Sequence, residues 1–404
     1  MKLGIVYHMP FWRAADGTLR EVEGSFARYV DSLAPYFDEI SVCAPMLASP
    51  RGEGTAIRAT NVSLAPLPNF EGPVHFYPRL LVMLPRIWRF VRSIDVLHCR
   101  IPSPAAIFAF VIARAYARPS FVLIVGDLQA LLPTMPYRGV KKLLWRGYTA
   151  FEEWAVQWMS DRAVAFANGE ALAAKHSTAA KAVIATTTTT ISAADISSRA
   201  DINATDTLRV LCVSRIDPRK GLRLLPDVVR LLGEQGIAVS LDIVGPAVGR
   251  PGEDEQAAIA ADAERLGVGN RVRCLGPVPL EQLLPRYRGY DVFVLPTLPG
   301  EGIPRVLLES MTAGVPVVTT RVAGIPSLIT HEVNGLLVDA PTVAAVAGAI
   351  SRVVYDAGLR RRLIANGYET ARGFTLEAQA ARMLAEVSSR LPVTLKQPAA
   401  AAAS

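Results

Sequence analysis

Two glutamates, Glu301 and Glu309, lie eight positions apart in LPTLPGEGIPRVLLESMTAGVPVV, residues 295–318. The pattern predicts a buried strand, a loop, and a helix over residues 304–313 whose first position is a proline, where the missing N–H costs nothing. Glu309 then lies about 7 to 8 Å along that helix. Ionised carboxylates accept hydrogen bonds from hydroxyls, so the spacing suits two hydroxyl-bearing parts of one extended ligand, such as a sugar.

The alternative is that Glu301 is solvated and Glu309 is a paired helix residue. Glu309 lies between RVLL and SMTAG, which is too apolar for an exposed helix face, and burying a lone carboxylate is costly. The sequence therefore favours the ligand-binding interpretation of the pair.

A second set of charged residues lies in VSRIDPRKG, residues 213–221, where Arg215 and Lys220 are five positions apart on a turn after a buried strand. Two such cations can clamp a diphosphate, the arginine as a planar fork and the lysine as a point charge. A basic turn alone is more often a solvated loop. In open parallel sheets, however, ligands bind beyond the carboxyl ends of the strands. The free amides around Ile303 and Arg305, at a positive helix end, would face such a ligand.

The elements that position these residues alternate between short β-type runs and longer helical patterns, which is typical of βαβ units and parallel sheets. A length of 404 residues favours two domains. The pattern predicts an α/β protein of two doubly wound domains with a cleft between them. Predicted strands cover residues 2–7, 40–44, 96–99, 121–125 and 163–167 in the first half, and 208–215, 239–244, 272–275, 292–295 and 315–319 in the second.

The domain boundaries follow from composition. Residues 1–190 are predicted to form the N-terminal domain, and 208–374 the second domain. Between them lies a predicted linker, residues 191–207, within a Thr-, Ala- and Ser-rich stretch. A helix over 375–395 and a disordered tail over 396–404 end the chain.

Composition excludes several classes of protein. Hydrophobic residues make up 51% and charged residues 20% of the chain, as in a packed soluble protein. The four cysteines, Cys43, Cys99, Cys212 and Cys274, lie far apart without CxxC spacing, which predicts buried reduced thiols. The apolar run at the N-terminus is too short for a signal peptide, and no apolar stretch reaches the roughly 18 to 20 residues of a membrane span. The predicted localisation is cytoplasmic.

The net charge of +7 is unevenly distributed: residues 1–200 hold 21 Lys/Arg against 15 Asp/Glu, and residues 79–146 hold 11 against 2. A basic face on the first half therefore predicts an anionic partner. Residues 77–92 and 136–160 mix basic, aromatic and aliphatic side chains at helical spacing. They are either amphipathic stretches that lie on an anionic membrane or ordinary helices whose apolar faces join the core. Nucleic acid is not expected, because no binding module accompanies the basic residues.

Taken together, VSRIDPRKG, LDIVG, LGPVPLEQLLPRYRGYDVFVLPT and EGIPRVLLESMTAGVPVVTTRVAGIPSLITHEVNGLLV resemble the retaining glycosyltransferases of family 4, which have the GT-B fold of two Rossmann-like domains. The match is strong over about residues 208–340 and weaker in the first half. The resemblance implies a donor site in the second domain, an acceptor-side role for the N-terminal domain, residues 1–190, and a last helix that crosses back to that domain. It also implies a nucleotide-diphosphate sugar as co-substrate, without a cofactor or metal ion.

The resemblance also implies roles for individual residues. Arg215 and Lys220 would hold the donor diphosphate, Glu309 the ribose hydroxyls, and Glu301 the hydroxyls of the transferred sugar. The backbone from Gly302 onward would face the sugar and phosphate, with Gly245, the last residue of LDIVG, also in the donor site. Fixed cations and helix amides would stabilise the departing phosphate.

The first half departs from the family pattern. Gly126 stands in IVGDLQ where many members have a histidine, whereas Asp127 remains. His98, after the preceding strand, is a candidate replacement, although a lone histidine is more often structural. The glycine loop is reduced to VEGSFARYV, where Gly24 can still admit a phosphate or acceptor. In the second half, GIP, residues 302–304, replaces the commoner Gly-Phe-Gly.

Two hypotheses stay open on these residues. The first is a hexosyltransferase that uses a UDP- or GDP-linked sugar and a glycan or lipid-linked saccharide acceptor in bacterial surface polysaccharide biosynthesis, in the cytoplasm or at the inner face of the cytoplasmic membrane. The second is a catalytically weak paralogue that binds nucleotide sugar as the partner subunit of another glycosyltransferase. The intact Glu301, Glu309, Arg215 and Lys220 favour the first.

Overall fold

The computed structural model describes residues 1–21, 25–50, 54–132, 138–202, 206–298, 303–322 and 324–397. The chain divides into two compact units. Unit 1 comprises Met1–Thr188 and Gln379–Ser404, and unit 2 comprises Thr189–Ala378.

Unit 1 is built on one mainly parallel sheet. Seven parallel strands lie in the order β10-β9-β8-β7-β1-β4-β6. Beside β4 the sheet is extended by β2, which pairs with β4 in parallel, and then by β3 and β5, which pair antiparallel. The strands are β1 (Lys2–Val6), β2 (Phe11–Arg13), β3 (Leu19–Glu21), β4 (Glu39–Met46), β5 (Thr55–Ala56), β6 (Val62–Pro68), β7 (Val96–Ile101), β8 (Ser120–Ile124), β9 (Val164–Asn168) and β10 (Ile184–Thr186). The central strands are almost continuously apolar, as expected when helices cover both faces of a parallel sheet.

The helices of unit 1 follow the strands in the alternation that the sequence predicts. They are α1 (Ser25–Leu33), α2 (Gly72–Phe76), α3 (Leu80–Arg92), α4 (Pro104–Ala115), α5 (Leu128–Leu131), α6 (Gly139–Ser160) and α7 (Glu170–His176). Helix α4 is apolar around most of its circumference and is largely buried. Amphipathic α3 instead buries one face, formed by Met83, Ile87, Phe90 and Val91.

Unit 2 holds a six-stranded parallel sheet in the order β13-β12-β11-β14-β15-β16. Its strands are β11 (Leu208–Val213), β12 (Val239–Val244), β13 (Val272–Gly276), β14 (Val292–Leu295), β15 (Val317–Thr320) and β16 (Leu336–Val338). Its helices are α8 (Leu225–Glu234), α9 (Gly249–Arg265), α10 (Leu280–Arg286), α11 (Arg305–Thr312), α12 (Val343–Tyr355) and α13 (Ala357–Gly373). The core lies between sheet and helices, where Leu211, Ile243, Phe293 and Val318 are fully buried.

Both sheets change the direction of winding once. In unit 1 the chain leaves β1 toward β4 and leaves β7 toward β8; in unit 2 it leaves β11 toward β12 and β14 toward β15. The switch points therefore lie between β1 and β7 and between β11 and β14. A doubly wound sheet opens its ligand crevice at such a point. The predicted pair of doubly wound domains is confirmed.

The last helix, α14 (Leu376–Arg390), belongs to unit 1 from Gln379 onward. The Gln379 side chain hydrogen bonds to the Thr186 hydroxyl at 3.4 Å, and Met383 sulfur lies 3.6 Å from the Tyr29 hydroxyl. The predicted return of this helix to the N-terminal domain is confirmed.

Two chain segments differ from the sequence prediction. The segment predicted as a linker packs on unit 2: Ile191 is fully buried, and the Ser197 amide donates to the Thr312 carbonyl at 2.9 Å. Lys396, in the predicted disordered tail, pairs with Asp38 at 2.6 Å. Buried apolar area and specific pairing thus order both segments, whereas residues 398–404 lie outside the described residues.

Cys43, Cys99 and Cys212 are buried free thiols, and Cys274 is a half-buried free thiol. Within the ranges given above, no helix is both long and apolar enough to cross a membrane.

Candidate functional site

The switch point of unit 2 joins the two segments that carry the charged residues of the sequence motifs. The Leu298 amide donates to the Arg219 carbonyl at 2.9 Å, and the Thr297 hydroxyl donates to the same oxygen at 3.4 Å. The Thr320 hydroxyl in turn donates to the Thr297 carbonyl at 2.5 Å. The turn after β11 and the loop after β14 are therefore direct neighbours.

Two glycines permit this close approach of backbone segments. Gly221 has φ +64°, and a Cβ there would lie 2.3 Å from the Pro296 carbonyl oxygen. Gly245 has φ +143°, and its Cβ would lie 2.0 Å from the Ser214 carbonyl oxygen. Because real contacts are never so short, glycine is required at both positions. Gly245, which the sequence places in the donor site, thus also shapes the backbone at the end of β12.

The cations of the turn differ in environment. Asp217 caps the single 3₁₀ turn Pro218–Lys220 by accepting from the Arg219 amide at 2.9 Å. Its carboxylate also pairs with the Arg219 guanidinium at 2.7 Å. That hydrogen bond holds the pKa of Asp217 at about 2, far below its usual range. Lys220 is only 8% exposed, whereas Arg215 is exposed and forms no ion pair with any described residue.

The buried thiol of Cys212, on β11, lies near the charge of Lys220. Burial raises the pKa of the Cys212 thiol to about 12, and the nearby Lys220 ammonium opposes that rise. The lysine therefore brings its charge to the end of β11, at the edge where the loops meet.

Helix α11 starts one residue later than the sequence predicts. Pro304 is the N-cap with extended backbone, and the first helical residue is Arg305. This is a correction, since the proline was expected inside the first turn. Ile303 packs half-buried against the core of unit 2, and Arg305 is exposed. The predicted site residues Glu301 and Gly302 lie outside the described residues.

Glu309 is 4% exposed and is hydrogen-bonded within unit 2. The Thr190 hydroxyl donates to Oε1 at 2.6 Å, and the Tyr287 hydroxyl donates to Oε2 at 3.0 Å. Burial and the Glu309 charge raise the pKa of Tyr287 well above its ordinary value, so the phenol keeps its proton. Each carboxylate oxygen still has a second lone pair for a further donor.

The hydrogen-bond partners of Glu309 could not be predicted from the sequence. Thr190 and Tyr287 lie 119 and 22 positions away from it along the chain. The only sequence signal is the carboxylate in an apolar helix, which requires partners without naming them.

His98 lies in the core of unit 1, which fits the structural alternative left open by the sequence and not the predicted sugar contact. It lies inside β7, is fully buried, and stacks on Phe121 with ring centroids 4.3 Å apart. Its Nε2 is hydrogen-bonded to the Tyr29 hydroxyl at 2.9 Å. Burial, with help from the charge of Arg100, lowers the pKa of His98 to about 3. The ring is therefore neutral and enclosed.

Asp127 has a local structural role in the described coordinates. It caps α5 by accepting from the Ala130 amide at 3.0 Å, and it pairs with Lys175 at 2.7 Å. Burial alone would raise its pKa, but the bonds from Lys175 and Ala130 lower the pKa below its usual value. A Cβ at Gly126 would meet no atom within 4 Å. Gly24 lies outside the described residues.

Known proteins match this chain both in sequence and in fold. Residues 195–370 match the family model of group 1 glycosyl transferases. The D-inositol 3-phosphate glycosyltransferase of Corynebacterium glutamicum (strain R) is 32% identical over 177 residues, 43% of this chain and 41% of that protein. The amylovoran biosynthesis glycosyltransferase AmsK of Erwinia amylovora is 33% identical over 147 residues, 34% of this chain and 35% of that protein.

The chain thus spans about two fifths of the length of the first of these curated relatives and about a third of the second. Among solved structures, HepE of Anabaena in complex with UDP superposes with a TM-score of 0.68 at 19% identity, covering 96% of this chain and 100% of that chain. At that identity the likeness shows the fold alone. The chain therefore has the GT-B fold, and its residues 195–370 are similar to the group 1 glycosyl transferases.

Proposed function

We propose that the chain is a retaining hexosyltransferase of family 4. It takes a UDP- or GDP-linked sugar as donor and a glycan or lipid-linked saccharide as acceptor, in bacterial surface polysaccharide biosynthesis. The observation that carries the proposal is the hydrogen bond from the Leu298 amide to the Arg219 carbonyl, which joins the cationic turn to the loop before α11 at a topological switch point. The name of AmsK and the UDP bound to HepE support the choice of pathway and donor.

The proposed donor site lies at the ends of β11 and β14. Arg215 and Lys220 clamp the diphosphate, and the backbone from Ile303 to Arg305 faces the phosphate and sugar with the positive end of α11. Glu309 accepts a ribose hydroxyl with a remaining lone pair. Glu301 and Gly302 keep the sugar-contacting roles proposed from the sequence.

The proposed chemistry is a single transfer. The bond between the anomeric carbon and the diphosphate oxygen breaks, and its electron pair leaves with the diphosphate, whose charge Arg215 and Lys220 stabilise. An acceptor oxygen bonds to the same face of the anomeric carbon, and its proton passes to the departing phosphate oxygen. Configuration is therefore retained. The two side chains supply the positive charge, so the proposal includes no cofactor and no metal ion.

The first experiment measures the melting-temperature shift with UDP, GDP, ADP and dTDP for the wild type, Lys220→Ala and Arg223→Ala. A ligand at about a hundred times its Kd stabilises the folded state by near 2.7 kcal/mol. One diphosphate should shift the wild type, and Lys220→Ala should lose most of that shift. Arg223 is the control because it is exposed and pairs with Asp262 at 3.1 Å. Absence of a wild-type shift with all four would count against the donor site.

A turnover measurement separates the enzyme from a binding paralogue. Sugar transfer, or slow hydrolysis of the donor that the melting shift identifies, should be detectable in the wild type and fall in Glu301→Ala. A protein that binds the nucleotide but shows neither reaction would favour the partner-subunit hypothesis.

We also propose peripheral contact with anionic membrane through residues 77–92 and 136–160. The observation behind it is the first half of α6, where Val140, Leu143 and Leu144 are 74%, 67% and 68% exposed beside Lys141 and Lys142. Apolar side chains that alternate with cations suit the boundary between lipid headgroups and acyl chains. The buried face of α3 fits the ordinary-helix interpretation, but exposed Leu81 on the same helix does not.

Vesicle co-sedimentation tests the membrane contact. Wild-type protein should bind vesicles of phosphatidylglycerol and phosphatidylcholine, and bind pure phosphatidylcholine less. The double variant Leu143→Ser with Leu144→Ser should bind about tenfold more weakly. Tyr355→Ser, at a 68% exposed site of unit 2, is the control. Equal sedimentation of the double variant and the wild type would refute this surface.

A further inference from the structure

The switch point of unit 1 carries an arginine, Arg100, that forms no ion pair with any residue that the structure describes. Arg100 lies on β7, one residue beyond the register pair Val6 and Cys99, and thus at the carboxyl ends of β1 and β7. This edge of a doubly wound sheet is where ligands bind. The position therefore makes Arg100 a candidate ligand-binding residue, which the motifs of the sequence do not single out.

The guanidinium of Arg100 is held against aromatic rings. Its central carbon lies 4.8 Å from the ring centroid of Tyr29, 5.3 Å from that of Phe26 and 5.6 Å from that of Tyr7. The rings of Tyr7 and Phe26 stack on each other at 3.6 Å. Contacts of this kind fix a cation in place, but they use none of its N–H donors.

At least one donor of Arg100 has no partner among the described residues. Its buried Nε has no hydrogen-bond partner, and no carboxylate in the described ranges lies within ion-pair distance of the side chain. Partly buried arginines of unit 2 differ: Arg199 pairs with Asp291 at 3.4 Å, and Arg360 pairs with Asp201. A fixed, half-buried cation with no counter-ion in the described part of the chain indicates that the counter-ion arrives with a ligand.

His8 adds a second unpaired polar group at the same edge. It follows Tyr7 directly after β1, and its buried Nδ1 has no hydrogen-bond partner. Burial, together with the nearby charge of Arg100, lowers the pKa of His8 to about 4. The neutral ring can donate one hydrogen bond beside the guanidinium without adding a competing charge.

We propose that Arg100 and His8 form an oxyanion site in unit 1 that binds a phosphate group of the sugar acceptor. A planar guanidinium matches two phosphate oxygens with parallel hydrogen bonds. Assignment of the phosphate to the acceptor rests on the proposed function, because donor binding is assigned to unit 2. Phosphate can belong to a lipid-linked diphosphate or to a water-soluble phosphorylated sugar, and the chemistry at Arg100 is the same for both.

The test is titration calorimetry with inorganic pyrophosphate on the full chain carrying Lys220→Ala, which removes the proposed donor clamp. Adding Arg100→Gln should weaken binding on the order of tenfold to a hundredfold, as expected for loss of a charged hydrogen-bonding partner. Arg162→Gln is the matched control, because Arg162 also lies over an aromatic ring, that of Trp158, at 5.1 Å. It should leave the affinity unchanged. Absence of binding at millimolar pyrophosphate, or equal binding by Arg100→Gln, would overturn the site.

A second variant guards against misfolding of Arg100→Gln. Arg100→Lys keeps the charge and the stem but loses the planar fork, so it should bind pyrophosphate severalfold more weakly than the parent while retaining its melting temperature. Geranyl diphosphate then distinguishes the sources. Arg100-dependent binding tighter than that of pyrophosphate supports a lipid-linked acceptor, and equal Arg100-dependent binding supports a soluble one.

The test of the oxyanion site can fail or succeed independently of the test of the proposed donor site. Arg100→Gln with Lys220 intact should keep the wild-type melting shift with the preferred nucleoside diphosphate, since that ligand is assigned to unit 2. If no nucleotide shifts the wild type, the donor site fails, while the pyrophosphate titration still decides the oxyanion site.

Discussion

The two switch points present charge in different ways. In unit 2 the cation Lys220 lies on a backbone turn, and Gly221 allows this turn to pack closely against the loop after β14. In unit 1 the cation Arg100 extends from a strand and is steadied by aromatic rings. The first device depends on backbone geometry and the second on side-chain packing. Substitutions at the two switch points should therefore lower stability or ligand binding by different mechanisms.

The largest expected effect is a steric clash, and it should differ between the two units. Gly245→Ala places a Cβ 2.0 Å from the Ser214 carbonyl oxygen and should lower the free energy of unfolding by about 3 kcal/mol or more. In unit 1, Gly126→Ala meets no atom within 4 Å and should cost less than about 0.5 kcal/mol. Urea unfolding followed by circular dichroism measures both.

Gly236→Ala is the control for backbone strain, because Gly236 has φ +81° with open space around its Cβ. It should cost about 1 kcal/mol. If Gly245→Ala cost no more than this control, the close backbone approach would not be a requirement of unit 2.

The next largest effect is the loss of stability when the hydroxyl of either of two buried tyrosines is removed. Tyr287 donates to the Glu309 carboxylate in unit 2, whereas Tyr29 is hydrogen-bonded to the neutral ring of His98 in unit 1. Tyr287→Phe should lower the free energy of unfolding by about 1.5 to 3 kcal/mol, and Tyr29→Phe by about 1 kcal/mol, because bonds to charged groups are stronger.

Urea unfolding of the two phenylalanine variants decides this comparison. All five tryptophans lie in unit 1, so tryptophan fluorescence reports the unfolding of that unit, and circular dichroism reports both. Equal losses would mean that the Glu309 carboxylate does not depend on the phenol, which would weaken its description as a buried, partnered charge.

The same contrast explains what the sequence could predict. Strands such as β1, β7, β11 and β14 are short apolar runs between helical patterns, so their periodicity identifies them. The edge strand β6, VSLAPLP, carries prolines that argue against a strand. Strand β10 lies in a Thr- and Ala-rich stretch with no lasting period. Both are stabilised by pairing with a neighbouring strand, which is not visible in local sequence.

The site of unit 2 was more accessible to prediction than that of unit 1. A turn such as VSRIDPRKG carries its geometry in its own glycine and proline, and the strand order places it at the switch point. The aromatic box of Arg100 joins residues from β1, α1 and β7, which only tertiary packing brings together. The two interpretations of His98 stayed open for the same reason: its position near a strand end gave no sign that Tyr29 and Phe121 enclose it.

A third effect is the pH dependence of unit 1. The pKa of His98 is about 3 in the folded protein, against an ordinary value of 6.5, so the unfolded chain binds more protons between these limits. The stability that the neutral ring contributes is complete above pH 6.5 and is lost as the pH falls toward 3. His98→Phe should flatten the decline by up to about 1.4 kcal/mol per pH unit.

Urea titrations at pH 7, 6, 5 and 4, read by tryptophan fluorescence, measure this slope. His8, whose pKa is lowered to about 4, should keep part of it in the variant. Tyr29→Phe retains the histidine and its burial, and should keep the wild-type slope although its stability is lower. A wild-type slope in His98→Phe would assign the pH dependence to other groups.

The smallest effect concerns two capping aspartates, Asp217 after β11 in unit 2 and Asp127 after β8 in unit 1. Asp217 pairs with Arg219 at 2.7 Å, and Asp127 pairs with Lys175 at 2.7 Å; in each case these bonds lower the pKa of the carboxyl group. Asp217→Asn keeps a capping side chain and should cost less than about 1 kcal/mol at pH 7, because the partner charge is exposed and screened.

The sign follows from linkage. The pKa of Asp217 falls from an ordinary 3.8 to about 2 in the folded protein, so its ionic contribution is present above pH 3.8 and disappears as the pH falls through 2. The stability difference between wild type and Asp217→Asn should therefore vanish near pH 2. The difference for Asp127→Asn should also shrink as the pH falls, since its pKa is lowered too. A difference that stays constant down to pH 2 would assign the effect to the cap. If both variants follow the ionic pattern, the aspartates are equivalent in the two units, and the contrast between the switch points lies in how Lys220 and Arg100 are held.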